Sequence, residues 1–358
     1  MILHNYELSL PSYSVGENVY NLIGEKCLPY GKNILVIGGT RAIAAAKEKI
    51  EKAVRLAGMT ILEYVVYGKD CTYAAVEKLR NLPVYTRSDM VFAVGGGKAL
   101  DTCKNLCIVD NKPLFTFPTI ASNCAACTSV SIMYKEDGTF LKPHFFLHPA
   151  IHAFIDTEIM AGAPDRYMWA GIGDTYAKYY EAEISSRGEV LQHFTALGVA
   201  MSKECLEPLV RYGAEALADN KTGKNSYALE QTVLAIVVTT AIVSIFLTRD
   251  FTPDYNSGLA HAVFYALTTY PVIEREHLHG EVVGFGVLIA LLCDGQEEEF
   301  AKIYALNKEL GLPTKLEDIG ITPEQFEEAM GRIPEMSDVK HYPYKITRNM
   351  LQSAMERL

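Results

Sequence analysis

The alternation of two kinds of segment over the first 160 residues most constrains the fold of this chain. Short runs of β-branched and apolar residues are separated by stretches at helical spacing, at about 42–58 and 98–109. The predicted strands are 33–38, 61–66, 89–94, 113–118 and 153–156. This order predicts a mostly parallel sheet with helices on both faces. A hairpin is predicted from 129–134 and 139–146.

The pattern changes after Ala161–Pro164, because apolar residues then recur at helical spacing almost to the C-terminus. We therefore expect an α/β domain over residues 1–160 and an all-helical domain over residues 161–358. The most apolar run, Val233–Leu247, is short for a bilayer span and is predicted to be a buried core helix.

The net charge limits which partners are expected, and the cysteines indicate the redox compartment. Asp plus Glu number 43 against 33 Lys plus Arg, so the net charge is −10. We therefore expect a small-molecule substrate and no nucleic acid or membrane partner. The eight cysteines lie in apolar or helical contexts without a signal-peptide pattern, which predicts free thiols and a reduced, cytoplasmic protein.

A glycine-rich turn is the first candidate site. Gly95, Gly96, Gly97 and Lys98 end a predicted strand and open a helix. Such a turn lets backbone N–H groups approach a phosphate, and the helix N-terminus adds positive potential. The motif is neither G-x-G-x-x-G nor Walker A, so a tight strand-to-helix turn without a ligand stays open.

The end of the first predicted strand bears on cofactor choice. A carboxylate near such a strand end typically binds the ribose hydroxyls of NAD, and its absence beside an arginine admits the 2′-phosphate of NADP. Gly39 offers no carboxylate and Arg41 follows it. Arg41 could equally be a solvated residue of the first helical turn.

One carboxylate and two imidazoles form a candidate metal set. Asp174 lies in a predicted helix with Lys178 and Glu181 on the same face, and His261 and His279 enter later helices. Such a set leaves a coordination position for a substrate oxygen. On spacing alone, two structural histidines remain the more ordinary interpretation.

Taken together, these motifs resemble the metal-dependent (iron-containing) alcohol dehydrogenase superfamily, in a glycerol dehydrogenase-like order, over essentially the whole chain. The segments that carry the resemblance are 95–102, 118–122, 170–174, the His261 segment and 279–281. The resemblance implies a dehydroquinate synthase-like fold, with a Rossmann-like α/β domain followed by a helical domain. It implies one divalent metal bound by Asp174, His261 and His279, usually zinc, with iron, nickel or manganese as alternatives.

The resemblance also implies that NAD(P) lies on the glycine turn, and the family forms homo-oligomers. The expected cofactor-binding residues are Gly39, Arg41, Gly95, Gly96, Gly97, Lys98, Asp101, Thr116, Thr119, Ser122, Ser131 and Tyr134.

Two departures from the glycerol dehydrogenase pattern bear on the substrate. Cys124 stands where those enzymes carry a polyol-binding aspartate, and Lys178 stands where iron-type enzymes carry a histidine. The surrounding residues are similar to the hydroxycarboxylate dehydrogenase branch, which interconverts 2-oxo and 2-hydroxy acids and favours NADP. We expect Lys178 to bind the substrate carboxylate, with a helix-face salt bridge to Asp174 and Glu181 as the alternative.

The predicted activity is therefore hydride transfer between NAD(P)H and a small carbonyl compound. The alternatives are a glycerol or other polyol dehydrogenase, a dehydroquinate synthase-like lyase, and a non-catalytic dinucleotide sensor. Net turnover of NAD(P)H would separate the dehydrogenases from the last two.

Overall fold

The computed structural model describes residues 6–248 and 255–358. The chain divides into two compact units. The first runs to Pro164 and takes in the short segment Asn220–Asn225, and the second comprises Asp165–Asp219 and Ser226–Leu358.

The first unit is built on a parallel sheet. Its strands are β1 Tyr13–Val15, β2 Asn33–Gly38, β3 Thr60–Val66, β4 Met90–Gly95, β5 Leu114–Pro118 and β8 His152–Ile155. Within the described residues they are ordered β1-β8-β5-β4-β2-β3, and every neighbouring pair is parallel. The central strands β4 and β5 are buried along their whole length, as near-continuous apolar runs in parallel sheets are. The predicted sheet is confirmed, and the short edge strand β1 is an addition to it.

Helices connect and cover these strands. They are α1 Ile23–Cys27, α2 Thr40–Leu56, α3 Tyr73–Arg80, α4 Pro83–Arg87, α5 Gly97–Cys107 and α6 Thr157–Ala161. Helix α2 buries Ala46, Ile50, Ala53 and Val54, which recur at helical spacing and face the sheet core. The core also stacks the rings of Phe117 and Phe154 with centroids 4.9 Å apart.

The predicted hairpin is also present. Strand β6 Val130–Tyr134 pairs antiparallel with β7 Phe140–Phe145. It is tied to α5 because the Asp101 carboxylate of that helix accepts the Ile132 N–H at 2.9 Å. Within the helix, Asp101 also pairs with Lys104 at 2.9 Å. Lys104 is fully buried and Asp101 nearly so, which makes this ion pair part of the interior of the unit.

The second unit is helical in its described residues. Its helices are α7 Asp165–Ser186, α8 His193–Ser202, α9 Glu207–Lys221 (residues 220 and 221 of which fall in the first unit), α10 Tyr227–Leu234, α11 Thr240–Phe246, α12 Leu259–Leu267, α13 Pro271–Glu276, α14 His279–Cys293, α15 Glu297–Leu310, α16 Pro323–Ala329 and α17 Arg348–Met355.

The most apolar part of the chain lies across α10 and α11. A π-helical turn, Ala235–Thr239, joins the two, and the Thr240 hydroxyl donates to the Ala235 carbonyl at 2.9 Å. The predicted single helix is thus longer and interrupted. By length and composition Tyr227–Phe246 could cross a membrane, but 72% of its most apolar window is buried inside the protein, as in a core helix.

Candidate functional site

The predicted carboxylate and its two histidines come together in the second unit. Asp174 is on α7, His261 on α12, and His279 is the first residue of α14. One ligand atom from each lies within 4.8 Å of the other two. Oδ1 of Asp174 is 3.5 Å from Nε2 of His261 and 3.4 Å from Nε2 of His279. A tetrahedral ion with bonds of about 2.1 Å separates its ligands by about 3.4 Å, so the spacing fits a zinc-like metal.

The charge at this point also favours a cation. Oδ1 of Asp174 is buried and has no hydrogen-bond partner within the described residues. Burial by itself would raise the pKa of this carboxyl, but His279 and His261 hold it well below the usual range. A buried, ionised and unpartnered carboxylate oxygen between two imidazoles is a donor set that could hold a divalent metal.

The backbones of α7 and α14, which carry Asp174 and His279, lie in direct contact. A Cβ atom on Gly173 of α7 would lie 2.2 Å from the carbonyl oxygen of Gly280, and one on Gly280 of α14 would lie 2.0 Å from that of Ala170. Only glycine allows this approach. The contact sets the separation of the neighbouring residues Asp174 and His279.

Helix α12 meets α14 in the same manner. A Cβ atom on Gly286 would lie 2.6 Å from the carbonyl oxygen of Ala260. Ala260 precedes His261 directly, so this contact fixes the third candidate ligand against the same helix. The long hydrophobic helix α14 therefore serves as the frame for the whole metal set.

Glu181 orients His261. Its Oε2 accepts from the ring Nδ1 of His261 at 2.7 Å, and its Oε1 accepts the backbone N–H of the same residue at 2.9 Å. In the neutral ring this contact holds the proton on Nδ1 and leaves the Nε2 lone pair on the side of Asp174. Burial opposes a charge on the ring, but Glu181 raises the pKa of His261 to about 9. The same contact keeps the pKa of the buried Glu181 carboxyl low.

Sequence reasoning placed Glu181 on the helix face of Asp174 but did not find its role toward His261. The available signal was its position seven residues after Asp174, which puts both carboxylates on one side of α7. His277 lies outside the metal set, since its Nδ1 contacts Oε1 of Glu281 at 2.6 Å while Oε2 accepts the Leu278 N–H at 3.0 Å.

Lys178 lies one turn beyond Asp174 on the same helix and is 8% exposed. Within the described residues its ammonium donates one hydrogen bond, to the carbonyl oxygen of Asn256. Its charge helps to lower the pKa of Glu181 and opposes the rise in the pKa of His261, so it acts on both of these residues. The alternative salt bridge to Asp174 and Glu181 is not formed.

The glycine turn of the first unit has the form of a phosphate cradle. Gly95 adopts φ +153°, which favours glycine. A Cβ atom on Gly96 would lie 2.5 Å from Cδ1 of Ile120, and one on Gly97 would lie 2.7 Å from Nδ2 of Asn123. The first turn of α5 holds no acidic residue and no side chain caps it, so its N–H groups are open to an anion.

The other expected cofactor residues fall into two groups. Three use their polar atoms inside the unit: Asp101 as described above, Thr116 as donor to the Ala126 carbonyl, and Ser131 as donor to the Asp101 carbonyl. The rest lie around the turn. Lys98 forms an ion pair with Asp70 and lies 4.9 Å from the centre of the Tyr134 ring. Thr119 donates its backbone N–H to Gly95, and Ser122 lies three residues further on.

The residues that follow strand β2, Gly39 to Arg41, bear on cofactor choice and include no carboxylate. Gly39 is the extended residue before α2, and no acidic residue occupies the first turn of that helix. Arg41 is exposed in that turn.

Comparison with known proteins identifies the family. The sequence model of the iron-containing alcohol dehydrogenases matches residues 11–154. The chain is 30% identical over 317 residues to a glycerol dehydrogenase of Escherichia coli O6:H1, covering 86% of this chain and 83% of the relative. The chain belongs to the iron-containing alcohol dehydrogenase family.

Two further relatives bear on the branch. Hydroxycarboxylate dehydrogenase A of Escherichia coli K12 is 30% identical over 327 residues, covering 90% of this chain and 88% of the relative. The crystal structure of a probable glycerol dehydrogenase from Sinorhizobium meliloti 1021 superposes with a TM-score of 0.81 at 25% identity, covering 99% of this chain and 98% of that one. The predicted fold and glycerol dehydrogenase-like character are thus confirmed.

Membership of this family makes the chain an oxidoreductase that acts on CH–OH groups of a small molecule, with NAD(P) and a divalent metal. The lyase and sensor alternatives are disfavoured, because the relatives are dehydrogenases and the three candidate metal ligands lie together. The dehydrogenase needs that set, whereas a sensor does not.

Proposed function

We propose that this enzyme interconverts a 2-oxo acid and the corresponding 2-hydroxy acid, and that Lys178 binds the substrate carboxylate. The observation that carries this proposal is the buried Lys178 ammonium beside the metal set, with a single carbonyl acceptor in the described residues. A buried ammonium normally has an anionic partner, because burial of an unpaired charge is costly. A substrate carboxylate would provide that partner.

The charge balance of the site supports the same substrate class. Asp174 and Glu181 contribute two negative charges, and Lys178 contributes one positive charge. A divalent metal with neutral imidazoles would leave the site with one net positive charge. A 2-oxo acid neutralises that charge, whereas a neutral polyol does not.

Each residue then has a defined task. Asp174, His261 and His279 would hold the metal, and Glu181 keeps the His261 proton away from the ligand nitrogen. When bound, the metal withdraws charge from the substrate oxygen and NAD(P)H supplies the hydride. Lys178 would bind the carboxylate and so orient the carbonyl group.

We further propose NADP as the preferred nicotinamide cofactor. Gly39 leaves no carboxylate to repel a 2′-phosphate, and Arg41 provides an exposed guanidinium in the same turn. The glycine turn would bind the pyrophosphate, with the remaining expected residues lining the cofactor. Zinc is the proposed metal, since two imidazoles and one carboxylate suit it, and iron, nickel or manganese are the alternatives.

A polyol dehydrogenase is the second candidate. It is favoured by the glycerol dehydrogenases among the relatives, one of which, from Thermotoga maritima, is 34% identical over 275 residues. Cys124 argues against it, because a thiol replaces the aspartate expected to meet a polyol. The relative that is a hydroxycarboxylate dehydrogenase supports the first candidate at similar identity.

The substrate proposal is tested with Lys178→Met on metal-loaded enzyme. We expect kcat/KM for a 2-oxo acid to fall about 10- to 100-fold, as for loss of a charged hydrogen bond. The matching ketone, with methyl in place of carboxylate, should lose far less. Lys203→Met, at an exposed position, is the matched control. Equal losses for both substrates, or no wild-type activity on any 2-oxo acid, would return the substrate to a polyol.

Arg41→Ala tests the cofactor proposal. The dissociation constant of NADPH should rise about 10-fold, whereas that of NADH, which lacks the 2′-phosphate, should stay within about 2-fold. The two constants are measured by fluorescence titration in the absence of substrate. A wild-type enzyme that strongly prefers NADH, or a variant with unchanged NADPH binding, contradicts the proposal.

We place the enzyme in the cytoplasm as a homo-oligomer without nucleic acid or membrane partners. The eight free cysteines, six of them buried, suit a reducing compartment. The net charge of −10 supports the exclusion of anionic polymers and lipid. Light scattering would give the oligomeric state.

A further inference from the structure

The Asn123 side chain lies directly beside the first turn of α5. A Cβ atom on Gly97 would lie 2.7 Å from Nδ2 of Asn123 and 3.4 Å from its Oδ1. The amide nitrogen is therefore nearer than the amide oxygen to the Cβ position of Gly97, the first residue of α5. Both residues belong to the first unit.

The orientation of this amide is fixed by its oxygen. Oδ1 accepts the backbone N–H of Ala125 at 3.0 Å, two residues further along the chain, as in an Asx turn. Nδ2 makes one long contact, 3.4 Å to the Ser122 hydroxyl. The nitrogen carries two protons, so its donor capacity is largely unused.

This arrangement is the reverse of a helix cap. Asparagine at a helix N-terminus normally presents its oxygen, because the exposed N–H groups and the helix dipole favour an acceptor there. Here the donor Nδ2 is the amide atom nearer to the Cβ position of Gly97, in a turn that has no side-chain cap and no acidic residue. Donors that converge from two sides are satisfied together when an anion lies between them.

We propose that Asn123 donates a hydrogen bond from Nδ2 to the pyrophosphate of the bound nicotinamide cofactor, opposite the backbone N–H groups of the glycine turn. The inference rests on the NAD(P) site proposed above. Asn123 is a binding residue in this scheme and has no part in hydride transfer. Its role was not apparent from the sequence, where it follows the expected cofactor residue Ser122.

Asn123→Asp separates binding from a structural role. Aspartate keeps the oxygen that accepts from Ala125, and replaces the donor by a second oxygen of nearly the same size. An extra carboxylate at the N-terminus of α5 is compatible with folding and favourable to the helix. A purely structural asparagine would thus tolerate this change, and a phosphate donor would not.

The measurement is the dissociation constant of NADPH and NADH, followed by protein-to-nicotinamide fluorescence without substrate, together with the melting temperature of the nucleotide-free protein. We expect both constants to rise about 10- to 100-fold in Asn123→Asp, the loss expected for a charged hydrogen bond. The melting temperature should be unchanged or higher. Asn349→Asp, an exposed position, changes the net charge equally and should leave both constants as in wild type.

Competition with ADP and with adenosine locates the effect. ADP should lose affinity in Asn123→Asp about as much as NADH, whereas adenosine, which lacks phosphate, should not. Unchanged NADH binding, or equal losses for ADP and adenosine, overturns the role of Asn123 alone. A wild-type protein that binds no nicotinamide nucleotide overturns the cofactor site itself. Should Asn123→Asp lower the melting temperature, Asn123→Ala provides the second test, because it removes the donor without adding charge.

Discussion

Replacement of Glu181 by glutamine should weaken metal binding although Glu181 itself is not a ligand. The carboxylate accepts two hydrogen bonds from one residue, from the ring Nδ1 and from the backbone N–H of His261. Glutamine has a single acceptor oxygen. If that oxygen receives the backbone N–H, its NH₂ group faces Nδ1 and forces the ring proton onto Nε2, the nitrogen needed for the metal.

In the other orientation the glutamine oxygen receives Nδ1–H and the NH₂ group faces the backbone N–H of His261. Two donors then oppose each other at a site where Glu181 is 1% exposed, which costs about 1–3 kcal/mol. Either orientation penalises the metal-binding state of His261. Loss of such an outer partner typically lowers metal affinity 10- to 100-fold, or about 1.4–2.8 kcal/mol.

The assay is chelator competition for zinc, followed by the melting temperatures of metal-free and metal-loaded protein. Glu281→Gln is the matched control, because Glu281 makes the same pair of contacts with a histidine ring and a backbone N–H, but its partner His277 is no ligand. Glutamine is also an accepted residue at this position of a helix start. Only Glu181→Gln should change the zinc dissociation constant by 10-fold or more.

Zinc affinity within about 2-fold of wild type in Glu181→Gln would refute the reasoning. It would mean that His261 chooses its tautomer without help from Glu181. Equal losses in Glu181→Gln and Glu281→Gln would also refute it, because the effect would then reflect general loosening of the helices.

Two further predictions follow from the packing. Gly280→Ala places a methyl group 2.0 Å from the Ala170 carbonyl oxygen, so it should lower the free energy of unfolding by about 1–3 kcal/mol and reduce the zinc content. Gly213→Ala, whose methyl group would lie 3.6 Å from the nearest atom, should leave both the free energy of unfolding and the zinc content unchanged. Burial lowers the pKa of His152 to about 4, so between pH 6.5 and pH 4 only the unfolded chain binds the proton. Over this pH range the free energy of unfolding of wild type, measured by urea titration, should therefore fall by up to about 3 kcal/mol relative to that of His152→Asn. A pH-independent difference would disprove the second.

The sequence predicted the interior of the first unit well and its edge poorly. Buried parallel strands such as β4 and β5 are apolar runs that stand out locally. Strand β1 has only three residues, and its pairing with β8 joins positions about 140 residues apart. No local pattern encodes that contact.

The candidate metal set was likewise only partly predictable from local sequence patterns. Spacing alone left His261 and His279 as ordinary structural histidines, and only the family resemblance joined them to Asp174. The contact between Glu181 and His261 depends on how closely α7 and α12 approach, which residue periodicity does not report. The helical spacing predicted Lys178 one turn from Asp174, but its carbonyl partner at Asn256 belongs to a non-helical segment.

The backbone contacts between the metal-bearing helices have a consequence for recognising such centres in remote sequences. Each candidate ligand is the immediate neighbour of a small residue at a helix crossing, in the pairs Gly173-Asp174, Ala260-His261 and His279-Gly280. A search pattern that requires three adjacent pairs of one small residue and one ligand is far more restrictive than three scattered ligands. A homologous chain that retains these three side chains but carries bulky residues beside them should not bind the metal. A design that grafts the site onto another helical scaffold must include the small residue of each pair together with its candidate ligand.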